Sequence, residues 1–476
     1  MKNVLVKNAL YNILYRILGV IFPLITAIYF SRVLEPDGIG RVAYAQNVVS
    51  YFIMFAALGI PSYGTREIAK HQDSPAESSR LFSELLVLNG LSTALSLGAY
   101  GIMIPLLFSE NAMIYWICAL DLLFNFANID WLFQGREEYG YITLRSVLVK
   151  LVSLILMFVL VTEREDYGLY ALIHCIGTGC NYIFNIVHAR KTVKFTLHGL
   201  NFRRHMRPLL FLLISSVTAS LYNKVDVTML GWLSSHETVG YYTNAHKVVG
   251  MVLTLVTAIS AVFLPRLSYV YSNDREHYSE LLSRGLKIVL LLSIPCCAGL
   301  FLVAPGMVSV LFGVKFAPAA TTIRILSALV VIRGVGDLLC YQAIISTGRE
   351  RYLIKSRVLA SLINIFLNGY LIPRYGHDGA AIASVISELV VNGVMLIYSL
   401  AIAKPFIGGR FVMSVLAGTG AMAAAVLLIQ NQIEGAAVSL ALSVLLGALV
   451  FFLTSLLMRN DMLLGAVSMI QRKNKV

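Results

Sequence analysis

The chain has 476 residues, of which 58% are hydrophobic and only 13% are charged, and its mean hydropathy is +0.76. Because a soluble protein has typically about 25% charged residues, this composition excludes an ordinary soluble globule, a disordered chain and a secreted disulfide scaffold, and it leaves a polytopic membrane protein. The formal net charge of +13 at pH 7 is a large basic excess for so apolar a chain.

Apolar stretches follow one another along the whole sequence. Since about 20 apolar residues are needed to cross a bilayer as a helix, the pattern predicts an all-α protein with about fourteen transmembrane helices. The first stretch is too long for a signal-peptide core and no small-residue cleavage pattern follows it, so we expect it to be retained. The expected spans lie near residues 8–31, 42–62, 82–107, 112–134, 142–162, 168–188, 209–232, 239–264, 285–304, 320–346, 353–372, 379–402, 411–430 and 436–457.

Lys and Arg residues are unevenly divided between the two sides of this arrangement. An even number of spans places both termini on one side, and that side carries most of the 38 Lys and Arg residues. By the positive-inside rule, both termini are therefore expected in the cytoplasm. The most basic connection, around residues 191–208, is expected to lie beside anionic lipid headgroups. The opposite side carries only Arg32, Arg41, Arg164, Lys315 and Arg374.

Short motifs of the first half recur in the same order in the second half, at offsets of about 200 to 213 residues. The repeat predicts two like-oriented lobes of six spans, at residues 1–190 and 209–403, joined by a basic linker at 191–208 and followed by spans 13 and 14 and a cytoplasmic tail at 404–476. Such a parallel repeat suits alternating access, whereas a duplicated scaffold without transport is the alternative. The pairs are Ile39-Gly40 with Val239-Gly240, Ala45, Val48 and Val49 with Ala245, Val248 and Val249, Gly135-Arg136-Glu137 with Gly348-Arg349-Glu350, and Tyr167-Gly168 with Asp378-Gly379.

Polar side chains recur three or four residues apart on several predicted spans, so they share helix faces. Single polar residues in membrane helices commonly join one helix to another, but so many stripes favour a water-filled cavity lined by both halves. Pro23 is expected to kink the first span. The stripes include Asn8, Asn12 and Arg16; Asp121, Asn125 and Asn128; His174, Thr178, Asn181 and Asn185; Ser216, Ser220 and Asn223; and Ser384, Glu388 and Asn392.

Charged residues within the predicted spans are the more selective signal, because each costs about 2.5–3.5 kcal/mol at the centre of a membrane helix. Arg16 lies near the middle of the first span with no acidic residue on its face, so it is the first candidate ligand for an anion. Lys224 and Lys247, assigned to the other half, come next, and Lys150 follows unless it pairs with Asp121 or Asp130. Candidate cavity residues are Asn12, Asn125 and Asn223, and candidates for proton or ion coupling are Asp226, Glu388, Asp121 and His174.

The other charges in the spans have simpler interpretations. Arg333 and Asp337 are four residues apart and are spaced to pair. Arg145 and Arg324 lie near span ends and are expected to reach the interface. The six cysteines all lie in apolar segments and are expected to pack as small hydrophobes, with no metal-type pairing.

Sequence signals for enzyme chemistry are missing. The chain has no Walker loop, no HExxH and no GxSxG motif, so we expect no enzymatic activity, no cofactor and no metal. The basic residues are spread over loops and spans, which does not favour a nucleic-acid partner.

Several segments resemble bacterial oligosaccharide flippases of the Wzx type, which belong to the multidrug/oligosaccharidyl-lipid/polysaccharide exporter superfamily. The most specific part runs through the first loops and includes GTREIAK. The resemblance extends over essentially the whole chain. It rests on SRVLEPDGIGRVAYAQNVVSYF (Ser31–Phe52), LGIPSYGTREIAK (Leu58–Lys70), QGREEY (Gln134–Tyr139), VGYYTNAHKVV (Val239–Val249) and STGRERY (Ser346–Tyr352).

This resemblance implies two six-helix lobes in a V shape, two further C-terminal helices, and an oligosaccharide on an undecaprenyl diphosphate carrier as the substrate. It implies flipping from the cytoplasmic to the outer face of the inner membrane for O-antigen, capsule or exopolysaccharide assembly, with a polymerase and a chain-length regulator as potential partners besides membrane lipid. Arg16 matches the role of a diphosphate-holding arginine by type and by span. The alternatives are a cation-coupled drug exporter of the same superfamily and a membrane enzyme acting on lipid-linked sugars.

Overall fold

The computed structural model describes residues 2–349 and 351–465, apart from the side chains of residues 2–18, 20, 21, 110, 275, 276, 351 and 354. Over these residues the chain is 88% helical and has no strand, as expected for a protein that must satisfy its backbone hydrogen bonds within lipid. The helices are α1 Lys2–Ala57, α2 Ile60–Lys70, α3 Pro75–Leu107, α4 Ala112–Phe124, α5 Asp130–Gly135, α6 Tyr139–Leu160, α7 Tyr167–Ala189, α8 Arg203–Leu233, α9 His236–Asn273, α10 Arg275–Phe312, α11 Ala319–Gly336, α12 Ala343–Ser346, α13 Arg351–Leu400, α14 Gly409–Gln432 and α15 Ala436–Leu457.

Ten helices in the described part of the chain are long and apolar enough to cross a membrane. Two of these helical stretches are far longer than one crossing needs, at 49 residues (Phe22–Lys70) and 46 residues (Lys355–Leu400), and each includes a kink. The α7 helix and the α11–α12 pair lie where the sequence predicts two further spans. The arrangement confirms the all-helical membrane fold and is consistent with fourteen crossings.

The two kinks lie at residues with left-handed backbone conformation. Glu35 has φ 58° and directly precedes Pro36, and Gly376 has φ 54°, three residues after Pro373. Proline disfavours the helical conformation of the residue before it, which explains why α1 breaks at Glu35. Pro23 also lies inside α1, and the kink expected there stays a prediction.

The contacts divide the chain into two compact units, unit 1 up to Gly231 and unit 2 from Trp232. Most of α8 belongs to unit 1, which it approaches closely at two points. Gly59, at φ 78°, would place a Cβ only 2.6 Å from the Leu212 Cβ, and Gly231 leaves no room for a Cβ against the Tyr44 ring. Two parts of the predicted domain organisation stay predictions. They are the role of the basic segment 191–208 as a linker and the separation of residues 404–476 from the second lobe.

Equivalent positions are buried in the two halves. In the second part of α1 and at the start of α9, residues at an offset of 200 face the interior of their own unit. This agreement supports the predicted repeat at the level of packing. The buried residues of the first half are Ile39, Val42, Tyr44, Ala45, Val48 and Val49, and those of the second are Val239, Tyr242, Asn244, Ala245, Val248 and Val249.

Two of the resemblance motifs meet at one end of unit 1. Gly64 of α2 lies against Trp131 of α5, where an added Cβ would be 2.5 Å from the Trp131 Cε3 atom. Gly135 lies equally close to Thr65 and Ile68, and the Gln72 side chain donates to the Gly135 carbonyl at 2.6 Å. The glycines of GTREIAK and QGREEY therefore allow α2 and α5 to pack without a gap.

The end of the basic segment and the start of α8 are anchored to α3 by one buried carboxylate. The Glu84 side chain is fully buried, and it accepts from the His205 ring at 2.7 Å, from Arg204 at 2.5 Å and from the Asn201 backbone N–H at 2.7 Å. Tyr63 of α2 bonds the other His205 ring nitrogen at 2.8 Å. The segment is thus held in place by hydrogen bonds as well as charge.

Candidate substrate-binding and coupling residues

Arg16 and Asn12 lie in the first half of α1, but their side chains lie outside the described residues. Lys150 of α6 contacts the same helix, since its ammonium lies 5.8 Å from the centroid of the Phe22 ring of α1. Phe22 is six residues beyond Arg16, which is about 9 Å along a helix. Lys150 therefore faces the helix that carries Arg16.

Asp130 is bound by a different cation than the sequence suggested. Arg145 of α6 donates to Asp130 at 3.0 Å and to Asn181 at 3.1 Å, and it also contacts Asn185, which itself donates to Asp130 at 2.6 Å. Arg145 is 7% exposed, so it is buried within this network, and its position at the membrane interface stays a prediction. In this network the Asp130 carboxylate of α5 and the Arg145 guanidinium of α6 neutralise each other, and the side-chain amides of Asn181 and Asn185 on α7 complete their hydrogen bonds.

Asp121 lies in a less complete environment. Its Oδ2 is 3.9 Å from the His174 Nδ1, and its buried Oδ1 has no hydrogen-bond partner among the described residues. Gln46 of α1 lies 3.4 Å from the same His174 nitrogen. Asp121, His174 and Cys175 bring one potential ligand atom each within 4.8 Å of one another, a cluster that sequence spacing did not reveal because 53 residues separate Asp121 from His174.

Asn125 has a local role where the fourth span is interrupted. The α4 helix ends at Phe124, and a short 3₁₀ turn, Asn125–Ala127, follows before α5. Asn125 is buried and donates to Asn89 at 3.1 Å, while Asn89 donates back to the Asn125 carbonyl at 2.9 Å. This geometry favours support of the helix break, and contact with substrate stays a prediction for this residue.

The α8 candidates lie in unit 1, although the sequence assigned them to the other half. Asn223 is exposed and donates to the Ala219 carbonyl at 2.8 Å, and Lys224 is half-buried. Asp226 is 9% exposed. Two residues later, Thr228 accepts from Asn47 at 2.7 Å and bonds the Tyr51 hydroxyl at 2.9 Å.

In unit 2, Lys247 is half-buried on α9 and its ammonium is 3.5 Å from the Asn244 Oδ1. Within the described residues, neither Lys224 nor Lys247 lies in a salt bridge. Glu388 is different, because it accepts from Arg333 at 2.5 Å and from Asn392 at 2.9 Å. Arg333 therefore has a partner on another helix, and its pairing with Asp337 stays a prediction.

The fold is similar to that of solved membrane proteins. It matches the structure of "Lipid II flippase MurJ, inward closed conformation" with a TM-score of 0.74 and 17% identity, covering 96% of this chain and 99% of that chain. It also matches an inward-facing multidrug resistance MATE family transporter of the MOP superfamily with a TM-score of 0.64 and 17% identity, covering 80% of this chain and 94% of that one. The protein thus has the fold of MOP-superfamily membrane proteins.

Residues 5–271 match the model of the family described as "Polysaccharide biosynthesis protein". Because this match extends over more than half of the chain, the protein belongs to that family, which confirms the resemblance found in the sequence. A protein named "Putative O-antigen transporter" from Escherichia coli (strain K12) is 25% identical over 82% of this chain and 96% of its own length. The capsular polysaccharide biosynthesis protein CapF of Staphylococcus aureus is 24% identical over 81% of this chain and 97% of its own.

Proposed function

We propose that the protein moves undecaprenyl-diphosphate-linked oligosaccharide repeat units from the cytoplasmic to the outer face of a bacterial inner membrane by alternating access. These oligosaccharides are then assembled into O-antigen, capsule or exopolysaccharide. The family membership and the similarity, over 82% of this chain, to a protein named as a putative O-antigen transporter support this proposal. The protein itself has no enzymatic step and no cofactor in this scheme.

The observation that carries the proposal is the set of cations inside apolar helices. Lys150 and Lys224 in unit 1 and Lys247 in unit 2 are half-buried, and Arg16 lies in an apolar stretch of α1. Holding such charges in a membrane is costly, and charges that are retained there commonly mark a functional site. A diphosphate is the matching anion, because phosphate oxygens accept charge-assisted hydrogen bonds from Arg and Lys and Arg binds them bidentately.

The substrate's chemistry explains why polar stripes are needed as well. Sugar hydroxyls would lose their hydrogen bonds in hydrocarbon, so a polar cavity must replace water while the prenyl tail stays in lipid. Outward movement of an anion from a negative cytoplasm gains about 2.3 kcal/mol per charge per 100 mV. The membrane potential alone therefore provides a driving force.

Asp121 is the residue we propose for proton or ion coupling, with His174 beside it. A buried carboxylate with one oxygen left without a partner gains more from binding a proton or a cation than one already paired. Asp226 is a second candidate. Glu388 is a weaker one, because its carboxylate is occupied by Arg333 and Asn392.

The protein is a multi-pass membrane protein, and we propose that both termini are cytoplasmic. The basic excess on the side of the termini supports this orientation. A polysaccharide polymerase and a chain-length regulator are the protein partners that this role predicts.

Substitution of Arg16 tests the proposal. In a strain that depends on this protein, Arg16→Ala should abolish surface polysaccharide on gels while the protein stays in the membrane fraction. Arg16→Lys should restore polymer in part, because it keeps the charge but loses bidentate geometry.

Arg324→Ala is the matched control. Arg324 is a membrane arginine of α11 that packs on the Phe301 ring and donates to the Phe301 carbonyl at 3.2 Å, so its loss should leave polymer at the wild-type level. Normal polymer from Arg16→Ala at normal expression would remove Arg16 from the mechanism. Drug resistance conferred by the wild-type chain, without any effect on polysaccharide, would instead support the exporter alternative.

A further inference from the structure

A groove runs between α6 and α7 on unit 1. It encloses a cavity of about 630 Å³ and is lined along most of its length by apolar side chains. Three of them, Leu148, Val152 and Phe184, are each more than half exposed. The groove forms because Gly177 brings the helices together at its floor, where a Cβ would lie 2.5 Å from the Ser153 Oγ.

One end of the groove is polar and basic. It lies where α6 begins and α7 ends, and Tyr141, Arg145, His188 and Lys191 line it. His188 stacks on Tyr141 with ring centroids 3.9 Å apart, and its Nε2 is 3.5 Å from a Glu138 carboxylate oxygen.

The cations at this end differ in availability. Arg145 is neutralised by Asp130, as described above, and Glu138 also accepts from Arg136 at 2.9 Å. Lys191 is exposed, and it bonds no described carboxylate. The end of the groove therefore presents one available ammonium beside a histidine ring.

We propose that this groove binds one anionic phospholipid of the surrounding membrane, with an acyl chain along α6 and α7 and its phosphate on Lys191. Basic pockets between transmembrane helices are suited to anionic headgroups. From Tyr141 to Leu156 the α6 wall rises about 22 Å, which exceeds the roughly 15 Å half-thickness of a hydrocarbon core. The groove is thus long enough for one chain of one leaflet.

The site is separate from the residues proposed to hold the transported substrate. Lys150 does not line the groove, and it faces Phe22 of α1. The bound lipid would join α6 to α7 from outside and stabilise unit 1. The proposal does not depend on which substrate is transported.

Native mass spectrometry of the full-length protein in detergent tests the headgroup contact. Titration with dioleoyl phosphatidylglycerol should show tighter binding than titration with dioleoyl phosphatidylcholine. Lys191→Gln should weaken binding of the phosphatidylglycerol by about fivefold, the effect of one charge near a membrane surface. Binding of the phosphatidylcholine should not change.

Lys194→Gln is the matched control for charge, because Lys194 is exposed on the same segment but does not line the groove. Leu148→Trp should fill the groove and remove the tightest phosphatidylglycerol site, whereas Leu151→Trp, on an exposed residue of α6 outside the groove, should keep it. Circular dichroism would verify that the variants are folded.

Three outcomes would overturn the proposal. The first is equal phosphatidylglycerol binding by the Lys191 and Lys194 variants, and the second is wild-type binding by Leu148→Trp. The third is displacement of the phosphatidylglycerol by an equal or lower concentration of farnesyl diphosphate, which would assign the groove to the prenyl carrier. Assays of surface polysaccharide test the transport proposal separately. The lipid-binding proposal and the transport proposal can therefore fail independently.

Discussion

Each unit holds an acidic residue beside a basic one at a comparable place, and the two pairs are held differently. Asp121 lies four residues before the 3₁₀ turn that interrupts the fourth span of unit 1, and Arg333 lies four residues before the π-helix Asp337–Gln342 of unit 2. Asp121 faces His174 of α7 at 3.9 Å, whereas Arg333 contacts Glu388 of α13 at 2.5 Å. In unit 1 the acidic residue, Asp121, lies on the interrupted helix. In unit 2 the acidic residue, Glu388, lies on a neighbouring helix, α13.

The difference lies in how completely each carboxylate is satisfied. Both Glu388 oxygens accept hydrogen bonds, one from Arg333 and the other from Asn392. One Asp121 oxygen has no described partner. A fully paired ion pair fixes one arrangement of its helices, while a partly paired carboxylate can change protonation or bind a cation with little reorganisation. The unit 2 pair is therefore suited to a structural role and the unit 1 pair to coupling.

Glu388→Gln should have the largest effect on stability, because it leaves the Arg333 charge without its carboxylate in a largely buried place. We expect the free energy of unfolding to fall by about 3 kcal/mol, measured in mixed detergent micelles. The double variant Arg333→Met/Glu388→Gln should recover most of this loss. A single variant as stable as the wild type would show that the pair does not hold α11 to α13.

A second difference between the units lies at the end of the second span. In unit 1, α1 ends at Ala57 and the short α2 follows, whereas in unit 2 α9 continues to Asn273. Gly64→Ala should disturb the contact of α2 with Trp131 and lower the free energy of unfolding by about 1–3 kcal/mol, the usual cost of overpacking.

Gly90→Ala is the control for this substitution. Gly90 lies inside α3 with open space around it, so alanine there should leave stability unchanged or raise it by about 0.5–1 kcal/mol. If both alanine variants were equally stable, the close packing of α2 on α5 would contribute nothing.

Apolar stretches along the sequence were sufficient to predict the helical membrane fold, and the repeat marked positions of α1 and α9 that the structure buries. The number of spans stays a prediction. Neither the apolar stretches nor the repeat could predict the ion pairs. Arg333 and Asp337 are suitably spaced on one helix, but the carboxylate that Arg333 contacts, Glu388, is 55 residues away on α13. Arg145 likewise finds Asp130 on another helix. Partners across helices depend on the rotation of each helix, which composition and spacing do not fix.

Asp121→Asn should have the smallest effect on stability and a large effect on transport. Asparagine keeps the shape of the side chain while removing a buried charge whose nearest cation candidate, His174, is 3.9 Å away. Because that charge gains little from its surroundings, we expect the free energy of unfolding to change by less than about 1 kcal/mol. Surface polysaccharide should nevertheless be lost, since asparagine cannot take up a proton or carry a negative charge.

The chemical change is the same in Asp121→Asn and Glu388→Gln, so the two variants compare the two units directly. Of these two variants, only Glu388→Gln should lower the free energy of unfolding. Asp121→Asn should give a stable protein that produces no surface polysaccharide. Wild-type polymer from a stable Asp121→Asn protein would exclude coupling through this carboxylate and leave Asp226 as the candidate. Loss of stability in Asp121→Asn as large as in Glu388→Gln would show instead that both pairs are structural, because a carboxylate that only holds helices together is expected to reveal itself in the unfolding free energy.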